Sequence, residues 1–370
     1  MNQSSHATAS TSHQSTIMRD DSIIRILHSS VLAAIVFAVI CQVGCDKLPD
    51  VPGLSQQAAG PETHDNSAAS PNSSTTSIPT NAPSSTTPTP PSAAEVVTQF
   101  IQQEPSNRTD ADLALLASLT SDTDRITDLD LTNSPVSDVG LAHVSALKNV
   151  RSVHLHSTQA TGAAMIHLAK APQIEVLNLL GIRVDTAGVE QLKPLRQLKE
   201  LVLSNTQIDE RIFDVLREHE TLEILDLSVT AINGDGLVRL SQLPRLRVMI
   251  LGNTQITDEA LRRWKPSSAL EVLHVNSTAV SDKGLAQIKT LSNLKNLHAG
   301  TTQVTDDGVV LLASLRELEV LDLSHNKRVT DRGLAKLRGL KNLKRLVVED
   351  TSTSALEILQ KEFPKVEIIR

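Results

Sequence analysis

The sequence predicts an α/β solenoid of about ten repeats, with a curved parallel sheet on the concave side and short helices on the convex side. Three observations carry that prediction. First, Leu129, Val153, Leu177, Leu201, Leu225, Met249, Leu273, Leu297 and Leu321 follow one another at 24-residue steps, and Leu346 comes after 25. Second, one phrase recurs behind these positions: "SNTQIDERIF" from Ser204, "GNTQITDEAL" from Gly252, "NSTAVSDKGL" from Asn276 and "GTTQVTDDGV" from Gly300. Third, the apolar period changes inside each unit from two residues to that of a helix, as a strand followed by a helix requires. A unit this short cannot bury its apolar face alone, whereas stacked units share a continuous core.

Unit five, "LEILDLSVTAINGDGLVRLSQLPRL" (222–246), illustrates the logic. Leu225 and Leu227 alternate with Asp226, as in a strand with one buried face. Ile232 turns back into the core. Asn233 is then expected to cap a helix running to Leu243, with Leu237, Leu240 and Leu243 facing inward. The cap position holds Ser137, Thr161, Asp185, Asp209, Asn233, Thr257, Ser281, Thr305 and Thr330, each able to accept from a free N–H of a first helical turn. Three residues on stand Gly140, Ala164, Gly188, Gly236, Ala260, Gly284, Gly308 and Gly333, small enough for the helix to approach the sheet. Ile212 and Phe213 break that rule and predict a bulge in unit four.

A fixed period of 20–29 residues with an LxxLxL core is the signature of a leucine-rich-repeat solenoid. The pattern LxLxxTxITDxGLxxLxxL resembles bacterial leucine-rich-repeat proteins, and is similar to the cysteine-containing repeat class found in F-box proteins. "LDLSHNKRVTDRGLAKL" is the nearest unit, with Asn326 where that class often has Cys. The resemblance spans about residues 110–370. It implies protein-partner binding without naming a partner. No F-box segment is present, so a ubiquitin-ligase role does not carry over.

The chain before the repeats differs in kind. Residues 1–45 are expected to be an N-terminal extension with an export signal or anchor, and Met18 is a candidate start. "MRDDSIIRILHSSVLAAIVFAVICQVGC" has a charged beginning and an apolar run from Val31 to Cys41, 11 residues long. That length suits a signal peptide and is short for a membrane span. "QVGC" resembles a bacterial lipoprotein cleavage site, which makes Cys45 the candidate lipidated residue. Gln42 departs from the usual Leu. An uncleaved anchor over residues 26–44 and cleaved soluble export are the alternatives. All three readings place the repeats outside the cytoplasm, in the cell envelope (periplasm or cell surface).

Residues 46–92 hold nine of the chain's 16 prolines together with sixteen Ser or Thr, and are expected to form a disordered stalk. As a coil its ends would stand roughly 40 Å apart. Residues 93–125 are expected to be a helical cap on the open end of the core. Ser92 and Glu95 make a capping box, Val96, Val97, Phe100 and Ile101 share one face, and "TDADLALLASL" mimics a repeat's helical half. The solenoid then spans 126–370.

Composition excludes several functions. Both cysteines, Cys41 and Cys45, precede the repeats, so the repeats hold no disulfide framework, thiol catalyst or Cys-based metal site. The chain has 35 basic and 42 acidic residues. Residues 1–92 contribute 3 and 6, which leaves 32 and 36, a net charge of −4. Nucleic-acid binders show a basic stripe with aromatic platforms, and neither is present. One Trp, four Phe and no Tyr leave few anchors for a glycan or a tight hot spot. No GxSxG, HExxH or phosphate-binding glycine loop occurs. No cofactor, metal or small-molecule substrate is therefore expected. Trp264 is expected to pack on the helical side.

Function in such a solenoid is expected on the concave strand face. An apolar patch stands out there: Val176, Leu180, Val202, Ile224, Val248, Ile250 and Val272, flanked by Glu200 and Asp226. Contiguous exposed apolar surface marks binding sites. The competing reading is that parallel strands favour branched residues and that neighbours or loops cover them. Beside the patch lie His274, His298 and Asp322, with Asn276 and His325 close; these are legitimate metal ligands in type, or a solvated polar face. The expected function is a non-catalytic protein-binding module held by lipid or anchor at a membrane, its partner site comprising Val176, Val202, Ile224, Asp226, Val248, Ile250, Val272, His274, Asn276, His298 and Asp322. A surface scaffold or spacer without a specific ligand is the alternative, and an enzyme the remoter one.

Overall fold

The computed structural model describes residues 90–370. The export segment, Cys45 and nearly all of the stalk lie outside the described residues. Among the described residues two α-helices come first, α1 (Ala93–Gln102) and α2 (Asp110–Ser118). Ser92 and Glu95 form the capping box read from the sequence, and Thr109 with Asp112 forms a second. Val97 and Phe100 face the core; Ile101 is 45% exposed, because the buried stripe of α1 is only as wide as the Val97–Phe100 pair. Arg108 ties these helices to the repeats. Its guanidinium donates to the carbonyls of Asp130, Phe100 and Gln103 and lies 4.5 Å from the centre of the Phe100 ring.

Eleven strands follow in one parallel sheet, paired strictly in chain order. They are β1 (Asp128–Asp130), β2 (Ser152–His154), β3 (Val176–Asn178), β4 (Glu200–Val202), β5 (Ile224–Asp226) and β6 (Val248–Ile250). Then come β7 (Val272–His274), β8 (Asn296–His298), β9 (Val320–Asp322), β10 (Arg345–Val347) and β11 (Glu367–Ile369). The register pairs Leu129 with Val153, Leu225 with Met249 and Leu321 with Leu346, so the 24-residue ladder of the sequence is a ladder in space. The inward residues join one continuous core from Val97 to Val366. Each return is made by a short α- or 3-10 helix.

Ser137, Thr161, Asp185, Thr257, Ser281, Thr305 and Thr330 accept at helix N-termini as expected. Asn233 does not cap a helix. Its side chain accepts from Asp235 N, Gly234 sits at φ +85°, and a 3-10 segment begins only at Leu237. In unit four the helix starts late, at Ile212, and Phe213 is fully buried against Gly236 of the next unit. The strand register is undisturbed there, so Ile212 and Phe213 shift the helix and leave the sheet alone.

The small residues have a different purpose from the one expected. A Cβ on Gly140, Gly284, Gly308 or Gly333 would come within 2.2–2.6 Å of a side-chain oxygen of Asp110, Asp258, Asp282 or Asp306. These glycines admit the preceding unit's aspartate, not the sheet. That aspartate accepts from the N–H and hydroxyl of the next cap residue. Asp282 receives Thr305 at 2.8 and 2.7 Å, and Asp110, Asp138, Asp258, Asp306 and Asp331 act alike.

Two further ladders line the turn after each strand. Threonines donate to the carbonyl three residues back, as Thr230 does to Leu227 at 2.6 Å. Asn326 replaces one of them and spans two units, donating to Ala299 O and Leu323 O while accepting from Thr302 N and Oγ1. One residue in the turn after each of β1 to β10 takes positive φ: Asn133, Ser157, Gly181, Asn205, Val229, Asn253, Ser277, Thr301, His325 and Asp350.

Candidate partner-binding face

Alternation along each strand sends the first and third residues away from the core. The exposure of those residues divides the sheet. At the ends, β1 to β3 and β8 to β10, the outward residues are half-exposed or exposed. In the middle they are buried: β4, β6 and β7 entirely, and β5 at Asp226.

This corrects the sequence reading of an open patch. Val202 (1%), Asp226 (0%), Val248 (2%), Ile250 (2%), Val272 (4%) and His274 (3%) are as inaccessible as core residues. Asp226 in particular is not on an open face. Val248, Ile250 and Val272 form a second apolar cluster, with Ile224 packed against it, on the opposite side of the sheet from the main core. Branched side chains on strands about 4.8 Å apart shield one another laterally. Val176, Ile224, Asn276, His298 and Asp322 remain half-exposed around that floor.

A buried acidic pair bounds the cluster on one side. Asp226 Oδ1 accepts from Ser228 N at 2.9 Å and Ser228 Oγ at 2.6 Å, and Ser228 Oγ meets Ser204 Oγ at 2.8 Å. Burial pushes the Glu200 carboxyl up to about 7, and the charge of Asp226 adds to the rise.

Histidines bound the other side. The rings of His274 and His298 lie 4.1 Å apart at 46°, and His298 Nδ1 stands 3.4 Å from Asp322 Oδ2. His274 is held neutral, its pKa driven well down by burial and then by His298. Its Nε2 is buried without a hydrogen-bond partner. Burial raises the Asp322 pKa, but His298 and the Ser324 donors outweigh it and the net shift is downward. Among the described residues, no group of three His, Cys, Asp or Glu side chains is placed to hold a metal.

Near β2, Ser152 Oγ lies 2.8 Å from His154 Nε2, and Asp128 Oδ1 lies 3.5 Å from the same nitrogen. A Ser-His-Asp relay needs the serine and the carboxylate on opposite ring nitrogens. Both sit on one here, so the trio is a polar contact and not a nucleophile with its base. His325 lies off the face, on Asp350 at 3.3 Å.

A leucine-rich-repeat family model matches residues 315–337. Among solved structures, an internalin from Listeria monocytogenes superposes with a TM-score of 0.51 at 20% identity, covering 70% of this chain and 76% of its own. The fold is a leucine-rich-repeat solenoid. No curated protein matches the sequence. The resemblance drawn from "LDLSHNKRVTDRGLAKL" falls within the same stretch as the family match and is borne out at the level of fold. Sequence reasoning about the leucine-rich repeats left open whether the apolar middle face was covered and placed Asp226 on an open face, because alternation reports which way a side chain points and not what lies over it. It also passed over the unit that holds Trp264, where the signal was a missing leucine.

Proposed function

We propose that the protein is a non-catalytic protein-binding module, displayed outside the cytoplasm, whose concave strand face engages a protein partner. The observation that carries this is the second apolar cluster on the outer face of the sheet, bounded by Glu200 and Asp226 on one side and His274, His298 and Asp322 on the other. Contact falls on the half-exposed rim, Val176, Ile224, Asn276, His298 and Asp322. Val202, Asp226, Val248, Ile250, Val272 and His274 form the floor that holds the rim in place. Half-exposed carboxylate and imidazole at one end give orientation, and branched side chains at the other give apolar area.

Tethering follows from the sequence before the repeats. Cys45 carries lipid, or residues 26–44 stay in the membrane. Among the described residues no helix is long and apolar enough to cross a bilayer.

The test is capture from a native envelope extract by the full chain and by Val176→Arg/Asn276→Arg. The double variant is expected to keep its circular dichroism and melting temperature and to lose the captured partner. Undiminished capture would place the contact on the convex side. No saturable capture by either protein would favour the spacer reading, which the core-like burial of Val248 and Ile250 also supports. Intact-mass measurement of the membrane fraction decides the tether: a lipid on Cys45 is expected, and an unmodified terminus elsewhere would reject it.

A further inference from the structure

The helical side of the solenoid departs from its own pattern in the sixth unit. In the 24- or 25-residue register running back from Leu340, this repeat position is leucine at Leu315, Leu291, Leu243, Leu195 and Leu147, and a buried His219 and Ala171 in units four and two. These side chains close the core beneath each return. In the sixth unit that position is Ser267. Pro266 ends the helix Asp258–Arg263 just before it, since the ring supplies no N–H and cannot continue the turn. Ser267 Oγ donates to Pro244 O at 3.3 Å and accepts from Ala269 N at 3.2 Å, so the hydroxyl is spent on local backbone.

A cavity of about 240 Å³ lies where the leucine is missing. Leu270, Leu273, Ile288 and Leu291 supply apolar wall, and Ser268 and Asn293 line its polar side. Trp264 also lines it, in place of the leucine found one turn earlier in unit five, at Leu240. The indole is 4% exposed and its Nε1 is buried without a hydrogen-bond partner. A buried donor left unpaired is unfavourable, and tryptophan is normally buried only where its N–H finds an acceptor. Asn293 does not serve: its Nδ2 donates to Ser268 O at 2.8 Å, and its Oδ1 makes no bond to the indole N–H. Cavity, missing plug and orphaned donor thus coincide in one unit.

We propose that this cavity binds a small uncharged molecule with a compact apolar body and one hydrogen-bond-accepting oxygen, such as a cyclic ketone, ester or lactam. The oxygen accepts from Trp264 Nε1, and the apolar body takes the volume that leucine fills in the neighbouring units. Lys265 is the sole charged side chain on the wall and is solvent-exposed, so the interior favours a neutral guest. The site lies on the opposite layer from the concave face and acts independently of any partner there.

Trp264 is the chain's one tryptophan and there is no tyrosine, so intrinsic fluorescence reports on this cavity alone. Cyclohexanone titrated into the full chain is expected to change the emission saturably, at millimolar concentration. Ser267→Leu supplies the leucine of the two neighbouring units, Leu243 and Leu291; it is expected to fold and to lose the saturable response. Saturation-transfer NMR then compares cyclohexanone with cyclohexane on Trp264→Phe, which keeps an aromatic ring without the donor. Cyclohexanone is expected to weaken by about tenfold and cyclohexane by less than about twofold, the loss of one hydrogen bond. A linear, unsaturable response shared by the parent and Ser267→Leu would overturn the site as collisional quenching. No response at all would mean a cavity closed or held by water, and would overturn it too. Should Ser267→Leu fail to fold, the Trp264→Phe comparison decides alone: equal weakening of both probes, or of neither, rejects the assigned contact.

Discussion

Residues 258–354 and residues 185–257 follow the same 24-residue register and are bonded across units in different ways. In the first region each helix opens with an aspartate that grips the cap residue of the next unit. Asp258 holds Ser281, Asp282 holds Thr305, Asp306 holds Thr330 and Asp331 holds Ser354, each through both the N–H and the hydroxyl. In the second region the ladder changes hands. Thr186 exchanges bonds with Asp209, and Glu210 reaches to the N–H groups of Asn233, Gly234 and Gly236 at 3.1–3.3 Å. Gly234 then occupies the aspartate's position and has no side chain to continue. In this second region β4 and β6 bury both faces, as β7 does just beyond it, while the strands at the ends bury one. The regular units are therefore held by a polar ladder along the helices, and the middle units by apolar packing on both faces of the sheet.

The sharpest way to break this contrast is to charge the middle face. Val248→Glu with Ile250→Glu places two carboxylates where both residues are 2% exposed. The expected loss exceeds about 4 kcal/mol in thermal or urea unfolding, whereas Val176→Arg on β3 should stay within about 0.5 kcal/mol. An unchanged melting temperature in the double variant would show that the middle face is open in solution.

Glu200 tests the same region by pH. Its folded pKa of about 7 lies above the ordinary 4.5, so the folded state binds the proton more tightly than the unfolded chain. Stability attached to this proton is present below pH 4.5 and is lost as the pH rises through about 7. Glu200→Gln removes the titration. The variant should match the parent near pH 4 and gain steadily to roughly 3 kcal/mol at pH 8, from the rise of 4.5 to about 7 at 1.36 kcal/mol per unit. A gain equal at both pH values would mean that Glu200 is solvated.

How much of this was legible in the sequence depends on the kind of interaction. The strand ladder was, because Leu225 and its counterparts recur at a period that nothing but stacking explains. The caps were, because Thr257, Ser281 and Thr305 can serve the free N–H groups without help from elsewhere in the chain. The aspartate ladder was half visible: "TD" recurs in the sequence, but that Gly308 exists to admit Asp282 needs the two units side by side. Burial of Asp226 was not legible, and that of Ile250 only as one of two readings, since an outward side chain on a strand is open or covered according to neighbours hundreds of atoms away in sequence. Trp264 was seen to face the helices, yet the missing Leu at Ser267 gains meaning only beside the orphaned indole N–H.

The ladder itself supplies a smaller test. Asp282→Ala removes two charge-assisted bonds and leaves Thr305 N unpaired, so a loss of about 1–2 kcal/mol is expected. Asp235→Ala in the middle region removes only a surface pair with Arg263 at 3.6 Å, and should change stability by less than about 0.5 kcal/mol. Equal losses would erase the distinction between the two regions.

The smallest effect expected is a gain, and it sits where the middle units break a backbone rule. Each turn after a strand needs one residue at φ near +55°, a left-handed conformation that costs an ordinary L-residue about 1–2 kcal/mol. The neighbouring units place Asn205 and Asn253 there, whose short amide tolerates it, but unit five has Val229 at φ 55°. A β-branched side chain is the worst choice for that region. Val229 N still donates to Gly252 O at 3.0 Å, so the turn is held by the same bond as in its neighbours and the strain is stored, not relieved. Val229→Asn completes the row between Asn205 and Asn253 without disturbing that bond. It should raise stability by about 1 kcal/mol, read as a shift of the urea midpoint at constant slope. Asn253→Val should lower it by a similar amount, since it imports the same strain into the next unit. If Val229→Asn instead destabilises, the half-buried valine gains more from packing than the turn loses, and unit five is held by apolar contact even at its turn.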